Sequence, residues 1–161
     1  MEYREIIEGR ESFKVYTIGR VRRMEDHVEL EVDEPFRSAL MALDGFSHVI
    51  VVWWVDQVDP EEARTVLTCE PPYAPGHLTG VFACRAEYRP NPIAFTPCRI
   101  MSVDVEGGLV RINDVDALDG SPIIDLKAYF PVLDRVRDAN IPDYLEGWPE
   151  WLPDNGIGLE Y

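Results

Sequence analysis

Lysine is almost missing from this chain. Lys14 and Lys127 are the only two among 15 basic residues, which face 30 acidic ones, so the 161 residues carry a net charge of −15. Such a surface repels a phosphate backbone over most of its area and leaves only a local, arginine-built basic patch for any nucleic acid. Cysteine is scarce too. Cys69, Cys84 and Cys98 make an odd number with no C-x-x-C pair, which excludes a disulfide framework and fits a reducing, cytoplasmic compartment. With His48 and His77 they offer no zinc-ligand spacing, so no metal is expected. No apolar run approaches the roughly 18 residues of a membrane-spanning helix. The charged start, MEYREIIEGRE, lacks the apolar region of a signal peptide. Also missing is the glycine-rich strand-to-helix fingerprint of a doubly wound nucleotide site.

What remains is an ordinary globular composition, 46% hydrophobic, in a chain of one-domain length. Residues 1–161 read as one domain, with a core over about 13–131 and an irregular tail, 132–161, that wraps the core or a partner subunit. The first twelve residues read as a loose polar arm. Alternation predicts strands at Phe13–Val21 (FKVYTIGRV) and His27–Val32 (HVELEV). Asp33–Leu43 reads as the one good helix, with Asp33 as N-cap, Pro35 in the first turn, a Phe36/Leu40/Leu43 stripe and Gly45 as the stop. It would cover a barrel end. Ser47–Val55 (SHVIVVWWV) is apolar throughout, as a strand covered on both faces would be, by its own core and by another subunit. His48 within it reads as a satisfied core histidine. Further strands are expected at 78–84, 93–105, 109–115 and 123–130, with a hairpin at Gly107-Gly108 and a proline-bearing flexible loop over 59–77.

One stretch stands out. Gly80–Arg99 reads GVFACRAEYRPNPIAFTPCR, with Arg85 and Arg89 four residues apart and Pro90, Pro92 and Pro97 stiffening the backbone after them. A rigid turn carrying two guanidiniums suits bidentate pairing with a carboxylate or phosphate. It also reads as a proline-rich connection with two solvated arginines. A second stretch, Asp114–Tyr129, reads DVDALDGSPIIDLKAY.

Together with GFSHVIVVWW at 45–54, these two segments resemble, in order, the motifs of the TrmO family, also called TsaA-like. The resemblance covers roughly Tyr16–Pro131. It implies an enzyme dependent on S-adenosylmethionine that methylates N6 of threonylcarbamoyladenosine in tRNA. It also implies a mainly β fold, a small single-sheet barrel of six or seven strands working as a homodimer. Cofactor-binding residues expected on that basis are Arg85 for the methionine carboxylate, Asp56 and Gln57 at a strand end, Ile93 and Ala94, and Asp119, Gly120 and Ser121. Asp56-Gln57 read equally as a plain strand-end turn. Asp116 and Asp119 are the candidate catalytic carboxylates, with Asp125 as a third; all three also read as turn-capping aspartates. Arg89, Asn91, Lys127 and Tyr129 are the candidate substrate contacts. The chain departs from the family pattern at Cys84 (threonine), Ala94 (glycine) and Ala128 (proline). It also lacks the Pro-Arg-Gln insertion; Arg22, Arg23 and His27 occupy that region. Two rival functions stay open: methylation of a small molecule, favoured by the acidity and the short chain, and a non-enzymatic S-adenosylmethionine-binding module.

Overall fold

The computed structural model describes residues 2–156. Its centre is a closed, six-stranded antiparallel barrel. Strands β1 (Gly19–Arg23), β2 (Val28–Val32) and β3 (His48–Trp54) come first. The short pair β4 (Thr68–Cys69) and β5 (Thr79–Gly80) forms a separate two-stranded sheet. Next come β6 (Ile93–Asp104), β7 (Leu109–Ile112) and β8 (Pro122–Ala128). Around the barrel the order is β1-β2-β7-β6-β3-β8, and β8 closes back on β1 through Gly19 and Arg20 against Ile123 and Pro122. Closure through these two pairs leaves no strand of the barrel with only one neighbour.

Period-two patterning explains the barrel. Val28, Leu30 and Val32 point inward from β2, with Glu29 and Glu31 outward. Val49, Val51 and Trp53 do the same from β3, meeting Val21, Val110, Ile112 and Ile123 in one core. The outward row of β3, Ile50, Val52 and Trp54, is only half-buried. His48 is half-buried as well, and its Nδ1 lies 2.8 Å from the Ser47 hydroxyl.

Several expectations need correction. The first strand begins at Gly19, not Phe13: β2 ends at Val32, opposite Gly19, and only Gly19 and Arg20 pair with β8, so Phe13, Val15 and Tyr16 run outside the sheet and are exposed. The expected α-helix at 33–43 is a 3-10 helix over Glu34–Leu40, with a separate 3-10 turn at Leu43–Gly45. Seven residues in a 3-10 helix span roughly 14 Å, against about 10 Å in an α-helix. The stretched form lets Leu40 and Leu43 both reach the core at the barrel mouth. Left-handed Ala42 (φ 64°) breaks the two apart. The strand expected at 78–84 shrinks to β5, because Val81–Ala83 coils into a 3-10 turn whose neighbouring carbonyls face Arg89 rather than a partner strand. The N-terminal arm is not loose throughout. Tyr3–Ile7 forms a short helix, α1, and the Tyr3 ring sits 5.5 Å from the Arg64 guanidinium. The 59–77 loop likewise holds a 3-10 helix, Glu61–Thr65, besides β4.

After a four-residue helix at Pro131–Asp134, the tail packs back on the 71–77 segment. Trp148 meets Tyr73 edge-on at 5.0 Å, and Tyr144 stacks on His77 at 4.8 Å. Residues 157–161 of the expected wrapping tail lie outside the described residues.

Candidate functional site

The barrel's connectivity brings three segments to one rim. β3 runs antiparallel to both of its neighbours, β6 and β8. Its C-terminal end therefore lies beside the N-terminal ends of both. Trp54 pairs with Ile93, the first residue after the Arg-Pro-Asn-Pro turn, and Trp53 pairs with Ile123, two residues after Ser121. Hydrogen bonds continue the contact beyond the strands. The Val55 N–H donates to Pro92 O at 2.9 Å, and the Gln57 amide donates to Asp119 O at 2.9 Å. The strand-end turn holding Asp56 and Gln57 is thus tied to the arginine turn on one side and the Asp-Gly-Ser loop on the other.

Arg85 and Arg89 divide the work. Arg89 is half-buried; its Nε donates to Ala86 O at 2.7 Å, and its Nη2 donates to Val81 O and Cys84 O at 2.6 and 2.8 Å. These bonds curl the segment around the guanidinium and make Arg89 the pin of the turn. Arg85 is exposed. Its guanidinium lies 4.3 Å from the centre of the Phe95 ring, and among the described residues it forms no ion pair. A cation held over an aromatic face is positioned without being neutralised, so its charge stays open to an anionic ligand. Asn91 is exposed at the crest, where its carbonyl accepts from the Ile93 N–H at 2.7 Å.

The aspartate loop is organised from β1. Arg23 donates through its backbone N–H to Asp119 Oδ1 at 2.8 Å, through Nε to Ala117 O at 2.7 Å, and through Nη2 to Asp114 at 3.2 Å and to Val115 O. Arg20 donates to Gly120 O at 2.8 Å. The Gly120 N–H reaches Val21 O, and the Ser121 N–H reaches Leu118 O. The backbone of this corner is therefore engaged in holding the loop: the Asp119, Gly120 and Ser121 carbonyls accept from Gln57, Arg20 and the Val21 N–H, which leaves the exposed Asp119 side chain to face a ligand. Sequence reasoning located Arg23 but not this role; the signal was a run of three arginines, Arg20, Arg22 and Arg23, in an otherwise acidic chain.

Asp116 holds its proton more tightly than an ordinary aspartic acid. Partial loss of hydration among its neighbours is the main cause, even though the residue keeps an exposed surface, and the charges of Glu87 and Asp114 add to it, with Arg23 opposing. Glu87 belongs to the arginine turn, so the two corners are electrostatically coupled. Other candidates lie elsewhere. Lys127 and Tyr129 sit toward the opposite end of β8, with Lys127 paired to Ile50 and the Tyr129 N–H bonded to His48 O. From Trp53 back to His48 is five residues, roughly 17 Å of strand. Lys127 there pairs with Asp125 at 2.6 Å. The rim therefore brings together Asp56, Gln57, Arg85, Arg89, Asn91, Ile93, Ala94, Asp116, Asp119, Gly120 and Ser121, but not Lys127 or Tyr129; Asp125 pairs with Val52, one step along β3 from Trp53.

Two cavities flank this geometry. One of about 330 Å³, lined by Phe36, Leu40, Phe46 and Leu126 among others, lies under the 3-10 cover, at the start of β3. One of about 270 Å³, between Val15, Thr17, Trp54, Pro122 and Ile124, borders the rim. Arg85 lines neither.

Residues 18–135 match the tRNA-methyltransferase O N-terminal domain. The chain belongs to the TrmO family. A TrmO relative from Archaeoglobus fulgidus, named a probable S-adenosyl-L-methionine-binding protein, is 33% identical over 129 residues, covering 80% of this chain and 33% of the relative. Another of the same description, from Halobacterium salinarum, is 40% identical over 105 residues, covering 65% of this chain and 75% of the relative. The crystal structure of TrmO from Pseudomonas aeruginosa superimposes with a TM-score of 0.62 at 29% identity, over 81% of this chain and 61% of that one. The chain thus spans a third of the Archaeoglobus relative and under two thirds of the crystallised TrmO. The TrmO match begins at Ile18, close to the start of β1, and takes in every barrel strand.

Proposed function

We propose that this chain is a methyltransferase that binds S-adenosyl-L-methionine at the rim where β3 ends and β6 and β8 begin, and transfers its methyl group to N6 of threonylcarbamoyladenosine in tRNA. The observation that carries the reading is the convergence of the strand-end turn, the arginine turn and the aspartate loop on one edge of a TrmO-family barrel. The residues present fit the cofactor. Arg85 offers an unpaired, aromatic-backed guanidinium for the methionine carboxylate. Asp56 and Asp119 supply negative potential for a sulfonium. Exposed Ile93 and Phe95 and half-buried Ala94 offer apolar surface for the adenine. When bound, the cofactor supplies an already activated methyl group. The chain's part is to hold the acceptor in line, exclude water and manage one proton.

Asp116 fits the proton role, because its raised proton affinity brings it closer to that of an effective base. Arg20 and Arg85 form no ion pair among the described residues and offer positive charge at this edge, whereas Arg22 is paired with Glu31 at 2.6 Å and Arg23 with Asp114 at 3.2 Å. That supports an anionic substrate such as tRNA. The partner is a second copy of this chain. Phe82 is 86% exposed and Phe95 46% exposed beside the arginine turn, and the half-buried row Ile50, Val52 and Trp54 continues that apolar face along β3. The protein acts in the cytoplasm, where its tRNA substrate resides.

The test is incubation of the full chain with S-adenosyl-L-methionine and tRNA carrying unmethylated threonylcarbamoyladenosine, with nucleoside mass spectrometry as the readout. Appearance of the N6-methylated nucleoside is the expected result. Donor binding with no methylated nucleoside would replace the tRNA reading with a small-molecule acceptor or a binding module.

A further inference from the structure

The cysteines are not scattered in space. Cys69, at the end of β4, and Cys84, just before Arg85, place their sulfurs 3.6 Å apart. We propose that Cys69 and Cys84 form a reversible thiol–disulfide site that staples β4 to the base of the arginine turn. A disulfide requires the sulfurs to close to about 2.05 Å, a movement of roughly 1.5 Å. β4 is only two residues long, pairs with β5 alone and lies outside the barrel, as Cys84 does, so the two segments share that movement.

The two thiols differ in the way such a site needs. Burial raises the proton affinity of Cys84, but the Ala86 N–H, the Cys69 thiol, the Thr79 hydroxyl and the Arg89 charge together outweigh it, and the net direction is down. Cys69 moves up, through burial and then through its hydrogen bond to Cys84. Cys84, the more readily ionised of the two, is assigned as the attacking sulfur, and the less buried Cys69 as the one that resolves it. With a peroxide as oxidant, the Cys84 thiolate attacks one peroxide oxygen. The O–O bond breaks, and the departing hydroxide takes up the proton that Cys84 released, giving water. The Cys69 sulfur then attacks the sulfur of the Cys84 sulfenic acid. The S–O bond breaks and a second water leaves with the Cys69 proton. Two electrons pass from the thiol pair to the peroxide. Cys98 stands apart: it is fully buried in the barrel, and burial pushes its thiol up to about 12.

The staple bears on the candidate site through one carbonyl. Cys84 O accepts from Arg89 Nη2 at 2.8 Å, and Cys84 is bonded directly to Arg85. Drawing Cys84 toward β4 loosens the pin of the turn and moves the clamp arginine. This consequence, unlike the disulfide itself, rests on the methyl-donor reading.

The full native chain is treated with a small excess of hydrogen peroxide, and its mass and linked peptides are then mapped. The expected result is loss of two hydrogens, one Cys69–Cys84 cross-link, Cys98 still alkylatable after unfolding, and reversal by dithiothreitol. Cys69→Ser and Cys84→Thr should each abolish the cross-link. Over-oxidation of Cys84 without a cross-link, a link to Cys98, or intact thiols would overturn the site, and each of these outcomes is read on the wild-type protein alone. In parallel, S-adenosyl-L-methionine is titrated into the reduced and oxidised protein. Oxidation should weaken binding about tenfold, a 1.4 kcal/mol change, and dithiothreitol should restore it. Equal affinity in both states overturns the control of binding. No binding in either state refutes the methyl-donor reading, and the peptide map still decides the disulfide.

Discussion

Arg85 and Arg89 carry the same charge four residues apart and do different things because of what surrounds them. Three carbonyls engage Arg89, whereas Arg85 rests on Phe95 with its charge unneutralised. The sequence displays the pair but not the division, since carbonyl direction depends on the 3-10 turn at Val81–Ala83. The same limit applies to Asp116. Its carboxyl is raised by partial loss of hydration and by Glu87, 29 positions earlier in the chain, a neighbour that only the fold creates. Side-chain carbon NMR should find Asp116 titrating above a model aspartate, and Glu87→Gln should bring it down. No change in that variant would mean the two corners are not adjacent. The folded chain binds this proton more tightly than the unfolded one, so ionised Asp116 destabilises the fold at neutral pH and the penalty fades as pH falls through its raised value.

At the scale of elements, β3 is the hub, and it was the most legible strand. Its uninterrupted apolar run reflects two paired neighbours and a half-covered outer face. β2, β6, β7 and β8 were legible within a few residues by alternation. Segments outside the ladder were misread: Phe13–Tyr16 alternates as a strand would, but β2 ends before it and β8 pairs only with Gly19 and Arg20. The cover at 33–45 carried helix signals, and the span it bridges selected a 3-10 form. Gly19 marks the closure point, where β1 meets both β2 and β8. A Cβ there would stand 2.0 Å from Glu31 O. Gly19→Ala should cost about 2 kcal/mol or more, lowering the thermal midpoint by roughly 4–8 °C. A calorimetric midpoint within a degree of wild type would show that β1 and β2 separate there without strain.

For the whole molecule, the tRNA reading requires a chain of net charge −15 to hold positive charge where the substrate lands. Arg20 and Arg85, without ion pairs among the described residues, supply it at the rim, while Arg22 and Arg23 are paired with Glu31 and Asp114. In the proposed dimer, the apolar surface beside the arginine turn, Phe82, Phe95 and the outer row of β3, is the face set against the second copy. Sedimentation equilibrium should give twice 18.4 kDa for the wild type and 18.4 kDa for Phe95→Glu. A wild-type monomer at tens of micromolar would remove the dimer. Sequence motifs pointed to the family and to one edge of the barrel. They could not reveal that Lys127 and Tyr129 share a motif with Asp119 yet sit roughly 10 and 17 Å of strand away, because a strand carries its residues from one end of the barrel to the other.

The most direct measurement is calorimetric titration of S-adenosyl-L-methionine into the reduced wild-type chain and into Arg85→Ala. Removing a charge-assisted hydrogen bond costs about 1.5–3 kcal/mol, so saturable binding should weaken roughly 10- to 150-fold in the variant. Equal affinity in the two proteins would contradict the placement of the methyl donor at this rim.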